Sequence, residues 1–139
     1  MAETTNFELV SPERLLLSQP VEMVVIPGAE GDIGVLPRHA PLITTLRPGS
    51  IAIYEGGKIK QRIFVAGGFA EVTPERCTVL ADETVALAGA DRAAAEARLK
   101  AAREALMAAD TDERRVQLAK SVGIAEQLVA EIDRGEVLH

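Results

Sequence analysis

The sequence predicts an α+β protein in which an antiparallel β-sandwich, or flattened barrel, is followed by an antiparallel two-helix hairpin. The first observation is a break in composition near Gly89, because all 7 prolines of the 139-residue chain and all of its aromatic residues precede it. Proline and glycine punctuate short strands, whereas the alanine, glutamate and arginine that follow favour helices. We therefore expect a sandwich domain at residues 1–87 and a helical hairpin at residues 88–139.

Short apolar runs separated by turn residues are the second observation. The alternation around Ile51 and Ile53 predicts a strand with one buried and one solvated face, and the same pattern further on places Ile59 on the buried side and Phe64 on the solvated side. The glycine-rich segment Glu55–Lys58 predicts a tight hairpin, since glycine accepts the positive φ of such turns. The predicted strands are Phe7–Val10, Glu22–Ile26, Ile33–Leu36, Leu42–Leu46, Ser50–Tyr54, Ile59–Ala66, Phe69–Val72 and Cys77–Ala81.

The third observation is a helical pattern in the last part of the chain. Asp91 can cap a first helix that runs through Leu106, and Asp110 followed by Glu113 resembles the capping box of a second helix. Helices joined by so short a link lie antiparallel. Gly123, inside the second helix, costs about 1 kcal/mol relative to alanine and is either merely tolerated or marks a close approach of the first helix. The apolar stripe of the second helix consists of Leu118, Val122, Ala125, Val129 and Ile132.

Composition and charge exclude several classes of function. The net charge of −6 and the pI of about 5.0 argue against nucleic-acid partners. No apolar run reaches the roughly 20 residues that a transmembrane helix needs, and no signal segment precedes Phe7. The single cysteine, Cys77, cannot form an internal disulfide, and the two histidines, His39 and His139, support neither a metal site nor a catalytic triad. We therefore expect no catalytic residue, no metal and no cofactor.

Three features that could carry chemistry have simpler structural interpretations. The segment Gly28–Gly34 is rich in glycine but lacks the spacing of a dinucleotide-binding or phosphate-binding loop, so we interpret it as a tight connection between strands. His39, which stands close to Pro41, is typical of a hydrogen-bonded turn residue. Cys77 lies in an alternating apolar run and is expected to be inert packing.

Three segments, in order along the chain, carry a resemblance to one family. The segments Glu30–Leu42, Val65–Val72 and Thr78–Asp82 resemble the signature, the second marker and the last strand before the helices of the epsilon subunit of the bacterial F-type proton-translocating ATP synthase. The resemblance covers the whole chain and includes the composition break. It implies the sandwich-then-hairpin fold that the residues predict on their own.

The resemblance also implies a non-catalytic rotor subunit that couples proton translocation to ATP synthesis. In the family, the sandwich lies at the foot of the central stalk, against the gamma subunit and the ring of c subunits. By position, the family's contact loop corresponds here to Glu30, Gly31, Asp32 and His39. Asp32 would then face a basic loop of the ring, and Asp32→Lys would uncouple proton pumping from ATP turnover or loosen the contact between stalk and ring. The alternative is that Asp32 is a turn residue that bonds to its own backbone.

The hairpin is implied to be regulatory. In the family it either folds against the sandwich or extends toward the alpha and beta subunits and blocks ATP hydrolysis. Arg114, Arg115 and Lys120, the only basic patch of the second helix, would carry these transient contacts. Because the charges between Glu113 and Arg134 cancel as a whole, we expect weak inhibition. A face of alanines would suit weak and reversible docking, although alanines equally suit helix propensity. That face consists of Ala90, Ala94, Ala97, Ala101 and Ala105.

One nucleotide-binding motif of the family is degenerate in this chain. Asp91 matches the family's acidic position, but Ala94 stands where nucleotide-binding members have an arginine. Without a guanidinium the phosphates lose a bidentate partner. We therefore interpret Asp91 as a helix cap and expect no appreciable ATP binding to this subunit.

The resemblance further implies a peripheral location at the cytoplasmic face of the bacterial plasma membrane, through the assembled complex. The alternative is a generic protein–protein adaptor that has a β-sandwich and a coiled-coil-like hairpin. A small sandwich enzyme would need a cluster of histidines or carboxylates on one wall, and the sequence predicts none.

Overall fold

The computed structural model describes residues 3–137, in which ten strands precede two helices. The strands are β1 (Thr5–Val10), β2 (Leu15–Val21), β3 (Met23–Gly28), β4 (Gly31–Val35), β5 (Leu42–Leu46), β6 (Gly49–Glu55), β7 (Lys58–Val65), β8 (Gly68–Val72), β9 (Arg76–Ala81) and β10 (Thr84–Ala86). The helices are α1 (Arg92–Met107) and α2 (Asp112–Val137). The chain divides into two compact units, Met1–Ala88 and Gly89–His139.

The strands of the first unit form one sheet that folds over on itself. Its hydrogen-bonded order is β10-β7-β6-β3-β5-β8-β9-β1-β2, and β4 pairs with β3 outside this path. Apolar side chains from all strands between β1 and β9 meet in one buried cluster. The predicted sandwich or flattened barrel is therefore confirmed, and its core is aliphatic except for Phe7 and Cys77. The largest fully buried members of this cluster are Phe7, Leu9, Val24, Ile26, Val35, Ile51, Val65, Val72 and Val79.

One strand pair departs from the predicted antiparallel arrangement. β1 runs parallel to β9, with Asn6 opposite Arg76 and Val10 opposite Leu80, whereas every other pair is antiparallel within the part of the sheet that the structure describes. No short hairpin links these two strands, so turn geometry does not fix their relative direction. The pairing inserts the first strand between β2 and β9.

The sequence missed two strands, and both lie at the ends of the sheet order. β2 carries Pro20, and an edge strand tolerates a proline that cannot donate to a ladder. β10 has only three residues. The predicted hairpin at Glu55–Lys58 is confirmed, since Gly56 and Gly57 have φ angles of +62° and +76°.

The prediction that Phe64 faces solvent is wrong. Ile63 and Val65 belong to the buried cluster as expected, but Phe64, on the opposite face of β7, is fully buried as well. Ile59, which the same alternation places on the buried face, is exposed. A register irregularity between Ile53 and Tyr54 on the paired strand interrupts the alternation near that end of β7.

The second unit is an antiparallel helical hairpin, as predicted. The Arg92 guanidinium at the start of α1 donates hydrogen bonds of 2.5 and 3.1 Å to the Asp133 carboxylate near the end of α2. Asp91 caps α1, because its carboxylate accepts a 3.1 Å hydrogen bond from the Ala94 N–H. The predicted Asp110 cap of α2 is wrong: Thr111, one residue later, accepts a hydrogen bond from the Arg114 N–H at 3.2 Å.

The buried stripe of α2 follows the predicted spacing with one shift. Val122, Ala125 and Ile132 are buried as predicted, and Leu128 is buried more deeply than the predicted Val129. A Cβ on Gly123 would have no neighbour within 4 Å, so no helix approaches this glycine closely. Of the predicted alanine face, Ala94, Ala97 and Ala101 are exposed.

Candidate functional site

The glycine-rich segment singled out by the sequence forms an acidic tip on the first unit. β3 and β4 form a hairpin whose last pair is Gly28 and Gly31, and Ala29 and Glu30 make the turn between them. We call the four residues Ala29, Glu30, Gly31 and Asp32 the acidic tip. All four are exposed. Two carboxylates therefore stand at the end of one hairpin, which projects from the aliphatic core.

Arg47, which no sequence pattern selected, binds the acidic tip from the turn between β5 and β6. Its guanidinium donates a 2.5 Å hydrogen bond from Nη2 to Asp32 Oδ1 and a 2.6 Å hydrogen bond from Nη1 to the carbonyl of Gly28. Its backbone N–H donates to the carbonyl of Pro27 at 3.0 Å. Asp32 therefore pairs with an arginine of a neighbouring loop. The structure does not have the alternative arrangement, in which the Asp32 side chain bonds to its own backbone. We call these three interactions the Arg47 clamp.

An open groove runs beside the acidic tip. It has a volume of about 510 Å³ and is lined by Ala29–Ile33 and by Leu42–Thr45. The N–H of Ala29 donates to the carbonyl of Thr45 at 2.9 Å and joins the two walls. Its lining residues carry no histidine, cysteine or cation, and its polar side chains are Glu30, Asp32, Thr44 and Thr45.

His39 lies away from the acidic tip, at the other end of β4. β4 spans Gly31–Val35, which corresponds to about 14 Å at the rise of an extended strand. The four residues of the predicted contact loop thus divide into three at the tip and His39 at the opposite end of the strand. His39 contacts its own turn, since Nδ1 lies 2.7 Å from the carbonyl oxygen of Ala40 and its backbone N–H donates to Leu36.

Arg38 fixes the loop that carries His39. Its φ of +65° is left-handed, which is uncommon for a residue other than glycine. The Arg38 N–H donates to the carbonyl of Pro74 at 2.9 Å, and its guanidinium pairs with Glu3, which raises the pKa of the arginine above its usual range. The loop is therefore held from two other parts of the first unit.

A row of apolar side chains, four of them exposed and Val10 half-buried, crosses the outer face of the sheet. Register pairs align Phe69 with Leu80, Leu80 with Val10, and Val10 with Leu15, on four neighbouring strands. Ile43, on the next strand, is 70% exposed and Phe69 is 46% exposed. We call these five residues the outer apolar row. An apolar row of this size on the surface is typical of a contact with another protein.

In the second unit, the predicted basic residues are not equivalent. Arg115 donates to Asp112 at 2.8 Å and to the carbonyl of Ala109 at 3.3 Å. Arg114 and Lys120 are exposed and make no ion pair with any residue in the range 3–137. Of the three cations, Arg114 and Lys120 therefore remain available to a partner.

The degenerate nucleotide position is occupied by helix-capping interactions. The carboxylate of Asp91 accepts the Ala94 N–H, and the neighbouring Arg92 is held by Glu96 at 2.5 Å and by Asp133. Arg92 lowers the pKa of Asp133, mainly through their hydrogen bond. Asp91 is thus engaged as a helix cap, and Arg92 in ion pairs within the hairpin.

The remaining features do not indicate a reactive centre. Burial raises the pKa of the Cys77 thiol to about 12, so the thiol stays protonated at neutral pH. Among residues 3–137, no group of three or more histidine, cysteine, aspartate or glutamate side chains could hold a metal ion. His139 lies outside the described residues. None of the described helices is both long and apolar enough to span a bilayer.

Comparison with known proteins decides the family. Residues 4–87 match the family described as ATP synthase, Delta/Epsilon chain, beta-sandwich domain. The chain is 60% identical over 130 residues to the ATP synthase epsilon chain of Rhodospirillum rubrum, an alignment that covers 94% of this chain and 97% of the relative. This chain belongs to the ATP synthase epsilon family. The epsilon chain of Paramagnetospirillum magneticum is 52% identical, over 95% of this chain and 99% of the relative.

Solved structures agree with the epsilon fold. A chain in the cryo-EM structure of the Euglena gracilis mitochondrial ATP synthase OSCP/F1/c-ring assembly has a TM-score of 0.77 and 29% sequence identity, over 98% of this chain and 82% of that one. A chain of the Tetrahymena thermophila mitochondrial ATP synthase central stalk and c-ring has a TM-score of 0.57 and 14% identity, over 94% of this chain and 95% of that one, and so shares the fold. The resemblance drawn from the motifs is thereby confirmed.

Proposed function

We propose that this epsilon-family subunit works as a non-catalytic part of the ATP synthase rotor and couples proton translocation to ATP synthesis. The observation that carries the proposal is a rigid sandwich that presents two different contact surfaces, the acidic tip and the outer apolar row. A coupling element should deform little under load, and a closed aliphatic core supplies that stiffness. Its place is peripheral, at the cytoplasmic face of a bacterial plasma membrane, through the assembled complex.

The outer apolar row is the docking surface for the gamma subunit in this proposal. Its side chains come from five neighbouring strands, so their spacing is fixed by the sheet. Apolar groups of this kind gain about 25 cal/mol for each Å² removed from water. Phe69, the one aromatic residue of the row, has the shape of an anchor residue. No segment of residues 3–137 covers Ile43 or Phe69 fully.

Co-purification with the gamma subunit tests this docking surface. Phe69→Glu buries a charge in the interface and should reduce gamma binding by at least about tenfold. Ile59→Glu is the matched control, because Ile59 is also an exposed apolar residue of the sheet but lies on β7, outside the row. Equal affinity of the two variants for gamma would contradict the assignment of the row.

The acidic tip is the surface for the c-ring in this proposal. A carboxylate-bearing hairpin end attracts a basic polar loop, and the attraction between exposed charges weakens as salt rises. Asp32→Lys reverses the charge and removes the partner of Arg47, so membranes that carry it should pump protons poorly during ATP hydrolysis. His39→Ala, at the opposite end of β4, is the control for a loop variant away from the tip. Unchanged pumping in the Asp32→Lys membranes would count against the contact.

The hairpin regulates ATP hydrolysis in this proposal, but weakly. Arg114 and Lys120 are the exposed cations that could meet acidic surfaces of the alpha and beta subunits, whereas Arg115 is already held by Asp112. A chain truncated after Leu87 lacks both helices and should raise hydrolysis in the assembled enzyme less than about twofold. A many-fold rise would show that the inhibition is strong.

Nucleotide binding is not part of the proposed function. Asp91 is engaged as a cap and Ala94 offers no guanidinium to a phosphate. Calorimetric titration of the isolated subunit with ATP should therefore give no saturable heat at millimolar ATP. Saturable binding would mean that another group replaces the missing arginine.

A further inference from the structure

We infer that Arg47 is the positioning residue of the acidic tip, and that its clamp leaves Glu30 as the carboxylate that the tip presents to a partner. The inference rests on the proposed contact between the tip and the c-ring and specifies which residues make it. It assigns different roles to the two acidic residues: Asp32 holds the shape of the tip, and Glu30 carries its accessible charge.

The clamp joins the residue that follows β5 to both strands of the β3–β4 hairpin. Arg47 follows β5 directly, and its backbone N–H is held by Pro27, so the root of the side chain is fixed before the guanidinium reaches the tip. The guanidinium then bonds to the Gly28 carbonyl on β3 and to the Asp32 carboxylate on β4. One planar group therefore bridges both strands of the hairpin next to its turn.

An arginine is required for this geometry because its donors are spread over a fork. A guanidinium offers several N–H groups in fixed directions, so two acceptors on different strands can be bound together. A lysine at this position would keep the charge but concentrate it on one flexible ammonium group. Arg47→Lys therefore separates the loss of geometry from the loss of charge.

The Arg47–Asp32 ion pair is too exposed to add much to the stability of the fold, so its role is to position the hairpin end. The Arg47 and Asp32 side chains are 42% and 51% exposed, and ion pairs that are this exposed contribute little to the free energy of unfolding. Variants of either residue should therefore fold. What they lose is the fixed direction of the hairpin end, where Glu30 has no hydrogen-bond or ion-pair partner among residues 3–137.

Amide hydrogen exchange on the isolated full chain tests the clamp by itself. The Ala29 N–H, bonded to the Thr45 carbonyl, is the reporter inside the tip. In Arg47→Gln and in Arg47→Lys its exchange should rise about tenfold, with amides of β8 and β9 unchanged. Arg14→Gln, which removes an exposed arginine from another loop, is the control. Unchanged exchange at Ala29 in both Arg47 variants overturns the inference.

Binding to a purified, detergent-solubilised c-ring tests the separate roles of Arg47 and Glu30. For Arg47→Gln, charge attraction and positioning predict opposite changes in affinity. Arg47→Gln makes the tip one unit more negative, so simple attraction to a basic loop would tighten binding. Positioning predicts that binding weakens about tenfold and that Asp32→Asn adds little to it, since both act through one clamp. Glu30→Gln should weaken binding and reduce its dependence on salt.

The outcomes separate this inference from the function on which it rests. If the unmodified chain does not bind the c-ring, the proposed contact fails, and the exchange experiment still decides whether Arg47 fixes the tip. If the unmodified chain binds but Arg47→Gln binds more tightly, or Glu30→Gln binds unchanged, the contact stands and the inference about Arg47 and Glu30 is wrong.

Discussion

The two units of this chain are stabilised in different ways. The sandwich buries a continuous aliphatic cluster from nine strands, and many of its members are completely inaccessible. The hairpin buries only a narrow stripe of α2, together with Ala95 of α1, and its ends are joined by exposed ion pairs such as Arg92 with Asp133 and Arg103 with Glu126. A continuous core such as that of the sandwich unfolds cooperatively. A two-helix hairpin that buries only a narrow stripe is close to the limit of independent stability.

The difference teaches that one short chain can hold a deeply buried core and a weakly stabilised element in separate units. Substitutions in the sandwich should therefore act on the whole unit, and those in the hairpin should act locally. Tyr54 is the only tyrosine, the chain has no tryptophan, and Tyr54 lies in β6. Its fluorescence reports on the sandwich alone, while the ellipticity at helical wavelengths reports mainly on the hairpin.

The largest effect is expected for Gly68→Ala in the sandwich. Gly68 has a φ of +125°, and a Cβ there would lie 2.0 Å from the carbonyl oxygen of Leu80. Because the obstacle is backbone, the strand must move, and the free energy of unfolding should fall by about 3 kcal/mol or more. Denaturant unfolding followed by Tyr54 fluorescence measures this loss. A change below about 1 kcal/mol would mean that β8 and β9 separate easily and the sandwich is softer than its burial indicates.

In the hairpin, Leu128→Ala should have the next largest effect. Leu128 is buried in the α2 stripe, and such truncations cost about 2–3 kcal/mol. The helical signal should melt at a lower temperature, and the Tyr54 transition should not move. Val116→Ala is the control, since Val116 is 71% exposed on the same helix. Equal shifts of both transitions in Leu128→Ala would show that the units unfold together.

The opposite sign is expected for Gly123→Ala. A Cβ at this position meets nothing within 4 Å, and alanine is favoured over glycine in a helix by about 1 kcal/mol. The helical transition should therefore rise in temperature without a change in the Tyr54 transition. Destabilisation would indicate that the first helix does pack against this glycine in solution.

The smallest expected effect is a dependence of the hairpin's stability on acidic pH. Arg92 holds the folded-state pKa of Asp133 below its ordinary value, so this carboxylate stabilises the hairpin at neutral pH. That contribution is lost as the pH falls below the ordinary carboxyl range and through the lower folded-state value. Helical melting of Asp133→Asn should accordingly be less sensitive to acid than that of the unmodified chain. An unchanged acid dependence in Asp133→Asn would contradict this contribution.

The fold followed from the sequence wherever local pattern and tertiary packing agree. Alternation and turns located eight of the strands, the glycine pair Gly56–Gly57 located a hairpin, and Asp91 located a helix start. β2 was missed because an edge strand accommodates the proline that argued against it. The burial of Phe64 was missed because period-two alternation assumes that only one face of a strand is covered.

The candidate site was harder to predict, for a physical reason. Motifs select the residues of one segment, and so they identified Glu30, Gly31 and Asp32. The partner of Asp32 is Arg47, which comes from another turn and carries no local pattern. His39 is close to the tip in sequence but lies at the other end of β4, because a strand of five residues separates them. Long-range pairing of charges is a property of the fold and not of the segment.

The parallel pairing of β1 with β9 has a consequence for how the chain folds during its synthesis on the ribosome. The first strand emerges early, but the neighbour on its second side, residues Arg76–Ala81, is made only when most of the sandwich has been translated. Until then β1 can pair only with β2, and an isolated pair of strands is barely stable in water. Nascent chains that stall before β9 should therefore stay open and depend on chaperones, and the aliphatic interior closes in one late step.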